Sequence, residues 1–352
     1  MTSPSVICTQ TFPPKMGGME AVMASLAEHF THAGYSVSVF ADDPFKDVEN
    51  YDFYSAHVPK FVRPLVKSRQ ISRNATADAW VICDSWKSVG AVPKNFKKIV
   101  VLAHGQEYFN KEKKRRRIEH ALGRASMVVS SSNATAAMVR SYAPDTLPIH
   151  TIYPTYMLKR HNIEKSAENS SFKIFSISRI ERRKGLFQSA EALAELLKDP
   201  NQRIEWHIAG SGPDLEALQS HTESLGLTVK FLGRISESEK HAEFNQADLF
   251  LMPSYQEGNS LEGFGITYIE AAAFGVPSVG GLAGGAAEAV LDQKTGWSVD
   301  GSDPKAIQAA LAEAISDADK RLSFGQAAKA RFTQDLVGDQ AFDLLLSLID
   351  AE

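Results

Sequence analysis

The chain has 352 residues, 43% of them apolar and 23% charged, a globular composition with room for about two domains at roughly 150 residues each. No run approaches the ~18 consecutive apolar residues that a bilayer helix needs, and the only two cysteines, Cys8 and Cys83, exclude a disulfide framework and argue against a cysteine zinc site. The net charge of −4 conceals an asymmetry: residues 1–155 carry 19 Lys and Arg against 13 Asp and Glu, a net +6, and the remainder 19 against 29, a net −10.

The start, Met1 to Cys8, has neither a basic n-region nor a long apolar run. No secretory signal is predicted, and a reducing cytosol is the expected setting. Short β-rich runs then recur, each followed by a helical pattern. In the first half they are Val6–Cys8, Val37–Phe40, Trp80–Cys83, Ile99–Leu102, Met127–Val129 and His150–Tyr153; in the second, Lys173–Ile177, Glu205–Ile208, Val229–Leu232, Leu249–Met252, Val276–Val279 and Trp297–Val299. Continuous apolar runs of this length, alternating with helices, read as parallel strands buried on both faces. The fold class predicted is therefore α/β, with two doubly wound parallel-sheet Rossmann-like domains. One occupies 1–160 and the other 172–330, with a polar linker at 161–171. Met19, Val22, Met23, Leu26 and Phe30 recur at helical spacing before Gly34. The last stretch, 331–352, is helical again; its packing partner is not encoded in the pattern, and a return to the first domain is one option.

Open α/β sheets bind ligands at the carboxyl ends of their strands, so the residues that follow each strand carry the functional reading. After the strand at Lys173 comes Ser178-Arg179-Ile180-Glu181-Arg182-Arg183-Lys184-Gly185. This is either a solvated basic turn or a loop whose Arg179 and Lys184 clamp a diphosphate, the guanidinium bidentately and the ammonium as a point charge. Ala209-Gly210-Ser211-Gly212-Pro213 is a poor dinucleotide fingerprint, because position 215 is Leu where a third glycine belongs. A dehydrogenase is discounted on that ground.

The segment from Pro253 to Ala272 carries the most. Gly263, Phe264 and Gly265 open a helix whose first amides, at Gly265, Ile266 and Thr267, suit a phosphate. Glu262 and Glu270 stand eight residues apart, about 12 Å if the segment is wholly helical. That exceeds the roughly 5 to 9.5 Å between the carboxylates of a glycosidase. A hydrolytic pair is disfavoured, whereas one carboxylate for each end of an extended ligand is reasonable. Glu270 lies among Ile269 and Ala271 to Ala273, so it is expected to be buried and to need a partner.

With these residues in hand, the second half resembles the donor-binding domain of the family 4 retaining glycosyltransferases, whose two-domain fold is called GT-B. The family's E-x7-E is matched by Glu262 and Glu270, and its diphosphate-loop Arg and Lys by Arg179 and Lys184. Its Gly-x-Pro is matched by Gly275-Val276-Pro277, and its Gly-Gly…Glu turn by Gly284-Gly285-Ala286-Ala287-Glu288. In the first half, Thr11 to Glu20, with Gly17 and Gly18, is similar to the family's N-terminal glycine loop. His104-Gly105-Gln106-Glu107 resembles its strand-end histidine.

The resemblance implies hexose transfer from a nucleoside diphosphate sugar to an acceptor hydroxyl with retention, Glu262 holding sugar hydroxyls, Glu270 the ribose, and His104 the sugar near the reacting carbon. The amides at 265–267 and the cations would stabilise the leaving diphosphate, so no metal or other cofactor is expected; Asp317-Ala318-Asp319 reads as a turn or cap. With no obvious carboxylate nucleophile in the first half, a front-face displacement is favoured. The likeness is greatest to members that use GDP-mannose, with a UDP-hexose such as UDP-glucose as the alternative donor.

The acceptor expectation rests on basic charge. Lys111 to Arg117, and Lys60, Arg63, Lys67, Arg69 and Arg73 interleaved with Phe61, Val62, Leu65 and Val66, are patterns that hold a protein on an anionic bilayer, or else solvated helix faces. Peripheral attachment to the inner membrane face and a lipid-linked or lipopolysaccharide-core glycan acceptor are expected. Nucleic acid is not, since the chain is acidic and has no nucleic-acid motif. Rival readings are a nucleotide-sugar epimerase and a non-catalytic sugar-nucleotide-binding subunit.

Overall fold

The computed structural model describes residues 5–15, 17–48, 50–155 and 171–351. The predicted linker at 161–171 lies outside them except for Ser171. The chain divides into two units, Met1–Met157 with Leu336–Glu352, and Leu158–Asp335.

The first unit holds a seven-stranded sheet in which all pairs are parallel. Its strands are β1 (Ser5–Cys8), β2 (Val37–Ala41), β3 (Asp52–Ser55), β4 (Trp80–Cys83), β5 (Ile99–Ala103), β6 (Met127–Ser130) and β7 (Ile149–Thr151), in the order β3-β2-β1-β4-β5-β6-β7. The order reverses between β1 and β4, which is the switch point where doubly wound sheets open their binding crevice. β1, β2, β4, β5 and β6 are buried along their whole length, as strands covered by helices on both faces must be. Helices α1 (Gly18–His32), α2 (Arg63–Asn74), α3 (Arg115–Leu122) and α4 (Asn133–Arg140) flank the sheet.

The second unit repeats the plan with six parallel strands: β8 (Phe172–Ile177), β9 (Ile204–Ala209), β10 (Val229–Gly233), β11 (Leu249–Met252), β12 (Ser278–Gly281) and β13 (Gly296–Val299). Their order is β10-β9-β8-β11-β12-β13, with the switch between β8 and β11. Its helices are α5 (Leu186–Leu196), α6 (Leu215–Ser224), α7 (Glu237–Gln246), α8 (Ile266–Ala273), α9 (Ala286–Ala289), α10 (Pro304–Ser316) and α11 (Ala318–Asp335). A last helix, α12 (Gly338–Asp350), belongs to the first unit.

Beyond shifts of a residue or two at strand ends, three features differ from the sequence reading. β3 was not predicted; it is an edge strand with an exposed Asp at its start, so it lacks the apolar run that marks the others. β12 begins at Ser278 rather than Val276, because Pro277 has no N–H for the ladder and contributes only its carbonyl, to Phe250 N at 3.0 Å. The second domain does not end at 330: α11 continues to Asp335, with Phe332 buried on its inner face and Arg331 donating to the carbonyls of Ala289 and Glu288 at 2.8 and 2.7 Å.

α12 lies against α1. Phe342 is buried beside the His29 ring, centroids 5.4 Å apart, and Asp343 meets His29 Nε2 at 2.8 Å. The Tyr35 hydroxyl donates to Asp350 at 2.7 Å, and burial together with that carboxylate pushes its pKa up to about 12. Phe342→Ala should therefore cost the first unit about 3 kcal/mol, the usual size for deleting a buried aromatic ring, read as a lower denaturant midpoint for that unit's transition alone.

Candidate functional site

In the second unit the loop after β8 folds Arg182–Lys184 into one turn of 3-10 helix, closed by Gly185 at φ +75°. A Cβ at Gly185 would sit 2.1 Å from the Pro253 carbonyl, so glycine is required where this loop meets the one after β11. That approach carries Lys184 inward. Its Nζ lies 2.5 Å from Glu262 Oε2, and Arg183 Nη1 reaches the same oxygen at 3.0 Å. Arg183 Nε also holds Glu181 Oε2 at 2.9 Å, and Glu181 Oε1 takes Arg179 Nε at 3.1 Å. Burial alone would raise the Glu262 pKa, but Lys184 and Arg183 outweigh it and hold the carboxyl below its ordinary value. Its contribution to stability is thus complete above the ordinary carboxylate pKa of roughly 4.3 and is lost as the pH falls through the lowered folded value.

Of the residues the sequence singled out, the fold brings Lys184 and Glu262 together. Arg179 is linked to them only through Glu181 and Arg183, and its side chain is 71% exposed. Glu262 stands in a loop, because α8 starts at Ile266; the 12 Å separation of a wholly helical segment does not apply. Gly265 caps α8 at φ +92°, and a Cβ there would come within 2.5 Å of the Tyr268 ring. Tyr268 donates its hydroxyl to the Met252 carbonyl and so ties the helix to the end of β11. The amides of Ile266 and Thr267 fall in the first helical turn, ahead of any residue with an acceptor inside α8. Gly284 is where it is for a steric reason: a Cβ would meet the Glu262 carbonyl at 2.2 Å, while Gly285 N donates to that carbonyl at 3.0 Å. Gly210, at φ +120°, brings its backbone against Ser178 O and donates to Gly233 O at 2.6 Å, so packing between strand ends already demands it. Gly263 and Phe264 complete the approach to Gly265, with Phe264 buried.

Glu270 is buried, at 5% exposure, and its Oε1 is 2.5 Å from Lys240 Nζ on α7. Lys240, 7% exposed, also pairs with Glu237 at 2.9 Å. Burial alone would lower the lysine pKa; Glu270 and Glu237 hold it above its ordinary value. Neither Arg183 nor Lys240 was singled out from the sequence. Arg183 was hidden inside a run of cations, and Lys240 lies on a helix with few apolar residues.

In the first unit, Gly17 caps α1 and Gly18 opens it; Met16 lies outside the described residues. The root of this loop is fixed by Asp84, which directly follows β4. Its Oδ2 accepts from Gln10 N at 2.6 Å and Thr9 Oγ1 at 3.0 Å, and its Oδ1 from Ser88 Oγ at 2.5 Å. His104, directly after β5, donates from Nε2 to the Asp84 carbonyl at 2.8 Å. Because a carbonyl only accepts, Nε2 carries a proton, and Nδ1 is buried with no hydrogen-bond partner among the described residues. The signal for Asp84 was available: an acid at the first position beyond a fully apolar parallel strand.

Two of the five cations around α2 are spent inside the fold. Lys67 is buried, with Nζ 2.6 Å from Asp42 and 2.9 Å from the Thr9 carbonyl, and Arg63 reaches Asp42 at 2.9 Å. Lys60, Arg69 and Arg73 remain outside, with Phe61 86% and Leu65 64% exposed. In the other basic stretch, Arg115 is engaged by Glu112 and Glu119 and lies over the Tyr142 ring, 4.7 Å from its centroid. No helix among the described residues is long and apolar enough to cross a membrane, and no cluster of metal-ligating side chains occurs among them.

Two doubly wound parallel-sheet domains of this kind define the GT-B class. The chain matches two family models end to end, "Glycosyltransferase Family 4" over residues 16–160 and "Glycosyl transferases group 1" over residues 159–331. It belongs to family 4 of the glycosyltransferases. It is 40% identical over 161 residues to the GDP-mannose-dependent alpha-(1-6)-phosphatidylinositol monomannoside mannosyltransferase of Mycolicibacterium smegmatis, a match covering 44% of this chain and 42% of that protein. It is 29% identical over 303 residues to the D-inositol 3-phosphate glycosyltransferase of Corynebacterium urealyticum, covering 77% of this chain and 68% of that one. The aligned part of the chain thus spans less than half the length of the mannosyltransferase. Among solved structures, the sucrose-phosphate synthase of Thermosynechococcus elongatus superposes with a TM-score of 0.82 at 19% identity, over 99% of this chain and 100% of that one, a likeness of fold.

Lys240→Met should destabilise the second unit by roughly 3 kcal/mol by leaving a carboxylate without its cation, and the double variant Lys240→Met/Glu270→Gln should recover most of that loss. Denaturant unfolding of both variants checks the pair.

Proposed function

We propose that the protein transfers a hexose, mannose, from GDP-mannose to a hydroxyl of a lipid-linked glycan with retention at the anomeric carbon. The observation that carries this reading is the cluster in the second unit, where Lys184, Arg183 and Glu262 share one carboxylate oxygen just ahead of the first turn of α8. A diphosphate offered to that turn meets amides and the positive helix end, with Lys184 and the exposed Arg179 as its cations. In the front-face displacement the acceptor oxygen bonds to the anomeric carbon on the face that the phosphate oxygen leaves, and the acceptor proton passes to the departing diphosphate. Charge builds on that leaving group in the transition state, where fixed cations and amides act most strongly. Positive charge supplied by the protein itself makes a metal unnecessary in this scheme. Glu262 holds sugar hydroxyls and Glu270 the ribose, as the family resemblance implies. His104, its Nε2 committed to Asp84, offers Nδ1 to a sugar hydroxyl.

GDP-mannose in the name of the Mycolicibacterium relative supports the donor, and phosphatidylinositol monomannoside in the same name supports a lipid-linked acceptor. The exposed face of α2, with the turn before it, supports attachment to an anionic membrane from the cytoplasmic side, since Phe61 and Leu65 would enter the interface while Lys60, Arg69 and Arg73 meet headgroups.

Calorimetry with GDP-mannose, UDP-glucose and UDP-N-acetylglucosamine should find the first bound most tightly, and NMR of the product should show the donor's anomeric configuration preserved. Lys184→Ala and Glu262→Ala, folded by circular dichroism, should lose at least ~10²-fold in kcat/KM, the scale of removing one charge-stabilising group; activity kept by both would remove the assignment. Co-sedimentation with phosphatidylserine-containing vesicles should fall as salt rises, and Phe61→Glu/Leu65→Glu should abolish it while donor binding stays as it was.

A further inference from the structure

Arg183 presents a problem that the proposed chemistry does not use up. The Glu262 side chain is only 13% exposed, and both of its cations sit on Oε2, while Oε1 accepts no hydrogen bond among the described residues. If Lys184 is the group that turns to the donor's diphosphate, Glu262 loses a counter-ion at the moment it must remain ionised to hold a sugar hydroxyl. Removing one partner of a buried pair is far costlier than the pair itself is worth.

We propose that Arg183 is a positioning residue, the resident counter-ion that keeps Glu262 charged and its Oε1 turned to the ligand when Lys184 is drawn to the donor's diphosphate. The inference rests on the reading of the site given above. Arg183 is built to stay. Its Nε is pinned by Glu181 at 2.9 Å, its Nη1 by Glu262 at 3.0 Å, its side chain is 11% exposed, and its carbonyl takes Tyr255 N at 2.9 Å. Lys184 instead offers three rotatable donors on a flexible stem, and among the described residues its one ion pair is with Glu262. Glu181 sorts the two arginines, Oε2 to the fixed Arg183 and Oε1 to the exposed Arg179. Tyr268 is a further titratable neighbour of Glu262; burial pushes its pKa far up, so it stays neutral. Glu270 is held separately by Lys240.

The test uses the full chain and its Arg183→Gln and Arg183→Lys variants, with GDP-mannose binding by calorimetry and kcat/KM followed from about pH 4 to pH 9. Losing the guanidinium removes one of two charges that depress the Glu262 pKa, so the acid limb of the Arg183→Gln profile should move up by about one pH unit. Donor binding should weaken about tenfold near the shifted limb and much less at high pH, and Arg183→Lys should restore most of the limb. An Arg183→Gln profile that keeps the wild-type limb, with only a uniform loss of kcat or of folded protein, would overturn the proposal and leave Arg183 a structural residue. Wild-type protein that binds none of the nucleotide sugars would instead overturn the functional reading, and this inference with it.

Discussion

The second unit is organised around one carboxylate oxygen. Placing a carboxylate such as Glu262 inside the fold costs several kcal/mol unless cations meet it, and Lys184 and Arg183 both do so at Oε2. Much of the local backbone serves that meeting. Gly185 lets the cationic turn touch the Pro253 loop, Gly284 and Gly285 close over the Glu262 carbonyl, and Gly265 lets the Tyr268 ring lie under the start of α8. Gly185, Gly265 and Gly284 therefore each have a steric reason that can be named without reference to a ligand.

The first unit solves a related problem by different means. Asp84 gathers the amides and hydroxyls of Thr9 to Thr11 and, through its carbonyl, orients His104. One acid thereby couples the root of the glycine loop to the histidine after β5. Asp42 plays the matching part for α2, drawing Lys67 and Arg63 inward so that Phe61 and Leu65 are left facing out.

What the sequence made legible follows from burial. Strands covered on both faces announce themselves as apolar runs, which is why β1, β4, β5 and β11 were placed almost to the residue, whereas the half-exposed edge strand β3 carries no such mark. Glu262, Glu270 and Lys184 were legible as motif positions, but their partners were not. Arg183, Lys240 and Asp84 act through contacts 79, 30 and 20 residues away in sequence or more local ones masked by like neighbours, and spacing rules do not see such pairs. The same limit applies to α2: counting basic residues could not tell Lys67, sequestered by Asp42, from Arg69 in solvent.

The return of the chain at Leu336 has a consequence for how the protein can be divided. Because α12 covers α1 through Phe342, Asp343 and Asp350, the first unit is discontinuous in sequence and is joined to the second at two points of the backbone. A fragment ending at residue 157 is consequently not an independent half but a body with one wall missing, its α1 flank laid bare. A continuous version would have to splice the final helix onto the opening segment by circular permutation, with the second unit cut out as a single insert.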